Sequence, residues 1–362
     1  MTCLPGPRAR SVTASGRAWP GVLAACLGQL DPLPERASLG IVYLSEALAP
    51  MADEIVRALR AHTGLTCWLG ACGRGVLGGG AAGGGDGLAV LVLALPEPEF
   101  AILPGAPAAG PVGLALAHGE LGPGGPAAVL RELAAAGAGM LIGGLTAASR
   151  APVQIAGDAI GSRAACLGLA RRHPAVAGIA TAGAPLGPSH RVTSVLAGEI
   201  LALDGRPALT VMTDELGDLF RHSGARFAPV LWVAEPETCR DGDERMRMRR
   251  ITRVDARRGS LQLEGDRPAA ELRLMRPDPA GSLARVRALA RRLLAELDGA
   301  APMAAVYLAS RHRGRDLFGP GVDEIAILQE ELGRLPLVGL VTDAEIYDGA
   351  MHEAAGVLAL IG

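Results

Sequence analysis

The sequence contains no lysine and no asparagine, and all 35 of its basic residues are arginine. Without lysine the chain cannot form a Schiff base with a carbonyl substrate or with pyridoxal phosphate. It also cannot build a P-loop, because that motif needs a lysine to contact the phosphates. Without asparagine it has no acceptor for N-linked glycosylation. These absences exclude several enzyme classes, and a GC-rich genome would account for them.

Cysteines and aromatic residues are also scarce. The six cysteines, at positions 3, 26, 67, 72, 166 and 239, form no C-x-x-C pair, which argues against a structural zinc site. Reduced, buried thiols are expected in so long a chain, and they are typical of cytoplasmic proteins. Aromatic residues make up only 3% of the sequence, so leucine, valine, isoleucine and alanine must form most of the core.

Charge and hydropathy argue against two classes of partner, nucleic acids and membranes. The net charge of −2 and the lack of a long basic run argue against nucleic acid or a membrane surface as the primary partner. The apolar stretch 19–30 is interrupted by proline and glycine and is too short to span a membrane. A weak signal peptide and a mispredicted start codon are both compatible with this N-terminus. We expect a cytoplasmic protein.

Hydrophobic patterning predicts a mixed α/β chain with about two domains. We expect residues 1–16 to form a disordered lead and residues 17–30 to form a helix. The next predicted elements, in chain order, are a strand at 39–44, a helix at 51–62, a strand at 65–69, a glycine-rich loop at 70–75, a flexible segment at 78–87 and a strand at 88–95. This part of the chain therefore has a β-α-β-β pattern.

The C-terminal part of the chain repeats this pattern. A strand at 305–308, a helix starting at 323–325, a strand at 335–339 and a closing strand at 356–360 follow one another in the same order. Asp-Glu-Ile precedes the loop by a similar distance in both copies. We interpret this as a diverged internal duplication, in which the loops at 70–75 and 342–347 occupy comparable positions at a shared cleft.

The middle of the chain is rich in strands. Candidate strands lie at 111–117, 140–145, 164–170, 176–182, 191–203 and 228–234. A helix is predicted to start near Pro207, because Asp204-Gly205 is a turn signal and proline suits a first helical turn. The polar run 236–246 predicts a domain boundary, and the pairs 248–255 and 260–263 predict a hairpin. An arginine-rich amphipathic helix is predicted at 283–297.

Two motifs in this middle region resemble signatures of the FIST family. Residues 183–193, Gly-Ala-Pro-Leu-Gly-Pro-Ser-His-Arg-Val-Thr, are similar to the family's G-x-x-P-[IL]-G-P-x-x-x-V-T segment. Residues 203–208, Leu-Asp-Gly-Arg-Pro-Ala, are similar to its L-D-G-R-P-A run. Weaker similarities continue to the C-terminus, at 143–146, 253–255, 313–319, 335–346 and 351–360. The resemblance implies an N-terminal lead and helix at 1–37, a FIST N-terminal domain at 38–236 and a FIST C-terminal domain at 237–362.

The sequence departs from the family pattern at several positions, and some of these carry polar side chains in other members. Ser310 stands where cysteine is frequent, Ala344 replaces glycine, and Val76-Leu77 replaces Glu-Ile in the first repeat. Ala184 replaces a frequent arginine, and Ala355 replaces a late threonine. The fold that the resemblance implies is unaffected by these changes, but the ligand need not be the one bound elsewhere in the family.

The resemblance implies a bacterial sensory module for a small ligand, with amino acids suggested, rather than an enzyme. Such regions often accompany a histidine kinase, a chemoreceptor or a cyclic-dinucleotide enzyme, and we expect a separate partner of this kind. Two alternatives remain open at this point. One is a haem-binding nitric-oxide sensor that uses His190 as the iron ligand. The other is a hydrolase-like enzyme, because catalytic groups can be brought together by the fold alone.

Several charged residues are candidates for ligand binding. Arg313 and Arg315 follow a predicted strand, and arginine presents a planar fork that suits a carboxylate or phosphate. Gly73 and Arg74 lie in the glycine-rich loop, which lacks the dinucleotide fingerprint. Asp343 and Glu345, in the equivalent loop of the second copy, are expected to bind a ligand amine. The alternatives are a solvated loop for the arginines and a turn cap for Asp343.

Overall fold

A computed structural model describes residues 7–79, 81–96, 99–104, 112–121, 139–147, 153–161, 164–217, 232–238, 244–264, 267–319 and 321–362. The chain divides into two compact units. The larger unit comprises Met1–Ala180, Leu283–Met351 and Gly356–Gly362. The smaller unit comprises Thr181–Ser282 and His352–Ala355. Each unit is described by itself below.

The first segment of the larger unit contains two helices and six strands. In chain order they are β1 (Ala9–Ser15), α1 (Trp19–Leu30), β2 (Leu39–Ser45), α2 (Ala52–Thr63), β3 (Cys67–Gly73), β4 (Gly75–Gly78), β5 (Ala81–Gly85) and β6 (Gly87–Leu93). A 3-10 turn at Ala49–Met51 precedes α2. Helix α2 buries Ile55, Val56 and Leu59 on one face, as its periodicity predicts. It ends at Gly64, which adopts the left-handed conformation of a helix C-cap.

The second segment of the larger unit consists of strands in its described part. They are β7 (Phe100–Pro104), β8 (Val112–Glu120), β9 (Met140–Thr146), β10 (Gln154–Ala156), β11 (Ala159–Ile160) and β12 (Ala164–Ala170). Strand β13 (Ala175–Thr181) then leads to the smaller unit.

The smaller unit is an antiparallel sheet with one described helix. Its elements are β14 (Ala184–Leu196), β15 (Glu199–Leu203), β16 (Arg206–Pro207), α3 (Ala208–Leu216), β17 (Trp232–Thr238), β18 (Glu244–Asp255), β19 (Ser260–Leu263) and β20 (Glu271–Arg276). The strand order is β14-β20-β17-β18-β19-β15-β16, and β15 also pairs with β14. This second pairing closes six strands into a ring, which removes free sheet edges. Leucine, isoleucine and valine side chains from the strands and from α3 fill its core.

The third segment returns the chain to the larger unit. Its elements are α4 (Pro279–Glu296), β21 (Ala304–Ser310), α5 (Arg315–Phe318), α6 (Glu324–Leu332), β22 (Leu337–Thr342), β23 (Ala344–Tyr347), β24 (Ala350–His352) and β25 (Ala355–Ile361). Helix α6 starts with a side-chain cap, because the Asp323 carboxylate accepts a hydrogen bond from the Ile325 amide.

The same strand arrangement occurs three times in the larger unit. Strand β2 is parallel to β3 and antiparallel to β6. Strand β8 is likewise parallel to β9 and antiparallel to β12, and β21 is parallel to β22 and antiparallel to β25. The predicted duplication is therefore confirmed, and residues 112–170 form a third copy of it. We name the copies repeats 1, 2 and 3 in chain order.

The three repeats exchange hairpins. Sheet I has the order β1-β6-β2-β3-β10-β11, sheet II the order β7-β12-β8-β9-β23-β24, and sheet III the order β13-β25-β21-β22-β4-β5. The last two strands of each sheet come from a different repeat. Repeat 1 donates β4 and β5 to sheet III, repeat 2 donates β10 and β11 to sheet I, and repeat 3 donates β23 and β24 to sheet II. No repeat can therefore complete its sheet alone.

One face of each sheet contributes to a common core. Ile41, Leu116 and Val306, which occupy equivalent positions on the first strands of the three repeats, are buried in the same apolar cluster. The opposite face of sheet I packs against α1 and α2, and that of sheet III packs against α4 and α6. Aliphatic side chains form most of this core, as the low aromatic content predicts.

The structure corrects several local predictions. Residues 9–15 form β1 and not part of a disordered lead, and β5 occupies much of the segment predicted to be flexible. The predicted glycine-rich loop is continuous strand on both sides of Arg74. Its glycines permit close packing, since a Cβ at residue 73 would lie 2.5 Å from the Val341 carbonyl oxygen. The predicted strand at 191–203 is instead divided between β14 and β15, which form an antiparallel hairpin.

Part of the predicted strand at 228–234 and residues 239–243 of the polar run at 236–246 lie outside the described residues. The predicted domain boundary at residue 236 divides sequence regions, whereas the compact units combine separate stretches of chain. Among the described residues, no helix has the length and apolarity needed to cross a bilayer.

Candidate functional site

Three equivalent residues mark the points where the repeats exchange strands. Arg74 follows β3, Ala147 follows β9 and Asp343 follows β22. We call them the crossover residues. The Arg74 amide donates to the Val341 carbonyl at 3.0 Å, and the Asp343 amide donates to the Leu145 carbonyl at 2.9 Å. Arg74 and Asp343 therefore each lie beside a strand of another repeat.

The Asp343 side chain joins all three crossovers. Its Oδ1 accepts a hydrogen bond from Arg74 Nε at 3.2 Å, and its Oδ2 accepts one from the Ala147 amide at 2.7 Å. Arg74 also forms an ion pair with Glu46 at 3.0 Å. The Asp343 carboxylate is almost fully buried, and both of its oxygens have protein partners. This geometry favours a structural role for Asp343 over the predicted contact with a ligand amine.

Arg311 is a neighbour that the sequence analysis did not single out. Its Nε lies 3.2 Å from Asp343 Oδ1, but the angle does not allow a hydrogen bond. Within the described part of the chain, this buried Nε–H has no hydrogen-bond partner. The Arg311 side chain is 35% exposed, so a molecule arriving from solvent can reach the guanidinium.

Arg313 is committed to an internal ion pair. Its guanidinium is fully buried, and its Nε and Nη2 donate to the Glu324 carboxylate at 2.6–3.2 Å. Nη1 donates to the Ala180 carbonyl at 3.1 Å, and the Phe318 ring lies 5.4 Å from the guanidinium carbon. Desolvation is the largest single effect and would lower the Arg313 pKa, but the charge and hydrogen bonds of Glu324, together with Tyr307 and Glu345, raise the pKa overall. The geometry therefore favours a structural role over the predicted role as ligand anchor.

Tyr307 and Glu345 belong to the same buried polar group. The Tyr307 hydroxyl donates to Glu324 Oε1 at 3.0 Å, and burial followed by the Glu324 charge raises the Tyr307 pKa. The Glu345 carboxylate is fully buried and accepts a hydrogen bond from the Thr342 hydroxyl at 2.7 Å. Glu345 was expected to face a ligand amine, but this environment gives solvent no direct access to it.

A cavity of about 250 Å³ opens beside this buried group. We call it the arginine cavity, because four of the residues that line it are arginines. Its lining consists of Arg74, Leu77, Ala309, Ser310, Arg311, Arg313, Gly314, Arg315, Val322, Asp323, Glu324 and Val341. The cavity thus brings together three predicted site residues, Arg74, Arg313 and Arg315, and adds Arg311 and Asp323.

The connection between β21 and α6 makes this cavity possible. In repeat 1 the equivalent connection is residues 46–51, and it places Leu48 in the apolar core with no exposed surface. In repeat 3 the connection is the longer segment 311–323, which carries Arg311, Arg313 and Arg315. The Arg315 side chain is exposed, and no ion pair joins it to another described residue. Repeat 3 therefore presents cations where repeat 1 buries a leucine.

His190 belongs to the smaller unit and is held there by two carboxylates. Its Nδ1 lies 2.6 Å from Asp204 Oδ2, and its Nε2 lies 2.6 Å from Glu215 Oε1. Asp204 and Gly205 both have positive φ, as a two-residue hairpin of this type requires, and Asp204 also accepts a bond from the Arg191 amide. The L-D-G-R-P-A motif therefore forms a turn that fixes the imidazole.

This arrangement does not fit His190 to haem ligation. An axial ligand needs a neutral imidazole with one free nitrogen, and both nitrogens of His190 already contact carboxylates. In the described residues, no group of three or more histidine, cysteine or acidic side chains could hold a metal ion. A local hydrogen-bonding role for His190 agrees with this geometry.

Cys72 has the properties of a buried apolar side chain. Burial, and after it the charge of Glu46, raises the Cys72 thiol pKa to about 12. A thiol with such a pKa is protonated at neutral pH and is a poor nucleophile. Cys72 therefore gives no support to a hydrolase-like mechanism.

We expect His190 to make the stability of the smaller unit depend on pH. Burial lowers the His190 pKa, but hydrogen bonds to Asp204 and Glu215 outweigh this effect, and the pKa lies above its usual value. A histidine whose pKa is raised by folding contributes its full stabilisation at pH values below the pKa that it has in the unfolded chain. This contribution is lost as the pH rises through the pKa of the folded state. His190→Gln should therefore cost about 1.5–3 kcal/mol at low pH and less at high pH.

The measurement is the difference in unfolding free energy between the wild type and His190→Gln from about pH 6 to pH 9. The difference must be used, because burial and the nearby Glu264 raise the Glu353 pKa to about 7 in both proteins. NMR titration of the imidazole gives the pKa directly. A difference that does not change with pH, or a His190 pKa below about 6.5, would contradict the expectation.

The comparisons with known proteins agree with the two motifs in the middle of the chain. The chain matches the FIST N domain over residues 38–206 and the FIST C domain over residues 208–348. No curated protein matches it. The two matches together cover most of the sequence and occur in the expected order. We conclude that the chain belongs to the FIST family.

Proposed function

We propose that this protein is a bacterial, cytoplasmic sensory module that binds a small carboxylate ligand, such as an amino acid, in the arginine cavity. Arg315 and Arg311 would bind the carboxylate. The observation that carries this proposal is the pair of accessible guanidiniums beside a cavity of about 250 Å³. Pockets for drug-sized ligands measure about 300–1,000 Å³, so this volume suits a smaller metabolite.

The arginines of the cavity differ in how far internal carboxylates already occupy them, and this difference supports the proposal. Arg313 and Arg74 already bind Glu324 and Asp343, so a ligand would have to displace an internal carboxylate to use them. Arg311 keeps a buried N–H without a hydrogen-bond partner in the described residues. That buried N–H faces Asp343, whereas the Arg311 side chain as a whole is 35% exposed, so a ligand carboxylate would bind the exposed part of the guanidinium.

The cavity also offers a group for a ligand amine. Asp323 lines it and caps α6 through one carboxylate oxygen, which accepts from the Ile325 amide at 2.9 Å. A zwitterion with its carboxylate at Arg311 and Arg315 and its amine at Asp323 would match these charges. Sensing further requires a partner, and a histidine kinase, a chemoreceptor or a cyclic-dinucleotide enzyme is the kind found with other family members.

The test is a thermal shift with a panel of amino acids and small organic acids. A ligand present at about 100 times its Kd stabilises the folded state by about 2.7 kcal/mol. We expect it to raise the melting temperature by about 5–10 °C. Arg315→Ala should weaken binding by about tenfold or more, because a hydrogen bond to a charged group is lost.

Arg292→Ala is the matched control. Arg292 lies on α4 in the same unit, is about half exposed and pairs with Glu296 one turn away. It does not line the cavity. The control should bind the ligand as the wild type does. A flat melting temperature across the panel, or equal binding by both variants, would refute the proposal.

A further inference from the structure

Among the strands that the structure describes, none pairs with the outer edge of β1 in sheet I. The hydrogen bonds between β1 and β6 show which β1 residues direct their backbone groups towards this edge. The Ala94 amide donates to the Arg8 carbonyl, and the Gly16 amide donates to the Asp86 carbonyl, each at 2.8 Å. In an antiparallel pair the bonded residues alternate with residues that face the other way. The even-numbered residues of β1 therefore bond to β6.

The odd-numbered residues of β1 consequently direct their backbone groups away from the sheet. Ala9, Ser11 and Thr13 are the central residues of this set. No backbone hydrogen bond to another described residue is made by their amides. Such a row of open amides and carbonyls is the surface to which an extended peptide adds as a further strand.

A groove of about 690 Å³ runs along the first half of this edge. Its walls are the C-terminal ends of α1 and α6 and the segment that leads into β22. The described residues that line it are Ala9, Arg10, Ser11, Val12, Gly28, Gln29, Gln329, Gly333, Arg334, Leu335 and Pro336. The groove and the arginine cavity share no lining residue.

The charge of the groove is of one sign. Arg10 and Arg334 are its only charged residues among the described lining, and both are cations. Arg10 donates to the neutral Gln29 carbonyl at 2.7 and 3.0 Å, so its charge is not neutralised there. Neither arginine forms an ion pair with a described carboxylate. An acidic occupant would therefore find two unpaired cations beside the open strand edge.

We propose that this groove binds an extended, acidic segment of a partner protein, which adds to sheet I as a strand beside β1. Backbone bonds to Ala9, Ser11 and Thr13 would hold the segment, and its carboxylates would contact Arg10 and Arg334. The proposal goes beyond ligand sensing and does not depend on it. Loss of ligand binding in the arginine cavity would leave this groove unchanged.

The experiment starts from a displayed library of short random peptides, selected against the full-length protein. We expect the selected sequences to be rich in aspartate and glutamate and to alternate with β-branched residues. One selected peptide then serves as the probe in fluorescence anisotropy. Arg334→Glu should weaken its binding by about tenfold or more, and Arg292→Glu, on an exposed arginine outside the groove, should not.

Hydrogen exchange of the wild-type protein reports strand addition directly. The amides of Ser11 and Thr13 should exchange faster than those of Val12 and Ala14 in the free protein. They should become protected when the peptide binds. Ser11→Pro leaves the backbone bonds between β1 and β6 intact but removes an outward-facing amide, together with the hydroxyl that accepts a hydrogen bond from the Leu337 amide at 3.1 Å. It should abolish binding while β1 stays paired, and Ser11→Ala, which removes the hydroxyl alone, should not.

Three outcomes would overturn the proposal. One is selected peptides without acidic enrichment that bind Arg334→Glu as tightly as the wild type. Another is protection elsewhere on the protein with Ser11 and Thr13 unchanged. The third is a concentration-dependent dimer that Arg334→Glu leaves intact and Ser11→Pro disrupts, because it would assign the edge to a second copy of the chain.

Discussion

Residues 38–206, the stretch that matches the FIST N domain, should not fold when expressed alone. This fragment keeps β13, β4 and β5 of sheet III. It loses β25, β21 and β22, the three central strands that join β13 to β4. It also loses β23 and β24 from sheet II. In the smaller unit it keeps β14 and β15 but loses their partners β20 and β19. Apolar faces of three sheets would then be exposed to water, and each buried leucine or isoleucine side chain contributes about 1.5–3 kcal/mol.

The measurements are far-UV circular dichroism, size-exclusion chromatography and thermal melting of the fragment. We expect aggregation or an unfolded spectrum, with no cooperative melting transition. The control is coexpression of the fragment with two further pieces, residues 1–37 and residues 207–362, which together supply the rest of the chain. Recovery of a soluble complex would show that the fragment lacks partners and is not damaged. A sharp, cooperative melt of residues 38–206 alone would contradict the strand exchange.

Arg313→Met should destabilise the larger unit by about 3–5 kcal/mol. The substitution removes the cation but keeps an unbranched apolar side chain, so the main loss is the ion pair. Glu324 would be left with a buried charge whose remaining described donor is the Tyr307 hydroxyl at 3.0 Å. An uncompensated buried charge is much more costly than the loss of an exposed one. The melting temperature should fall by about 6–20 °C.

Two further variants separate this effect from a general response to mutation. Arg311→Met changes an arginine of the same connection that is 35% exposed, and it should cost much less. The double variant Arg313→Met, Glu324→Gln removes both charges and should recover part of the lost stability. Equal destabilisation by Arg311→Met and Arg313→Met would refute the structural role of Arg313. So would a double variant that is less stable than Arg313→Met alone.

The amphipathic and fully apolar patterns identified most elements of the fold. Helix α2, with Ile55, Val56 and Leu59 on one face, and the two terminal β-α-β-β copies lie where the periodicity predicts. The third copy was not recognised, although β8, β9 and β12 had each been predicted as strands. Its order depends on pairings between distant segments, and a local pattern does not contain such pairings.

The glycines near Arg74 predicted a loop, but the structure has strands there, and the reason is physical. Glycine is typical of loops, but here it lies in strands because other backbones approach closely. A similar limit applied to the candidate site. Arg311, Arg313 and Arg315 alternate along one segment, and only tertiary structure shows that Glu324 takes the middle one. The run of arginines predicted a cationic site but could not assign its members.

Helix α6 contributes residues to both proposed binding sites. Its first turn lines the arginine cavity and its last turn lines the groove beside β1, so the two sites lie at opposite ends of one helix that is about 14 Å long. If a metabolite displaces this helix, the coupling free energy must be reciprocal. The factor by which the metabolite changes peptide affinity then equals the factor by which the peptide changes metabolite affinity. Measuring either factor fixes the other, so two titrations suffice to show whether the two sites are coupled.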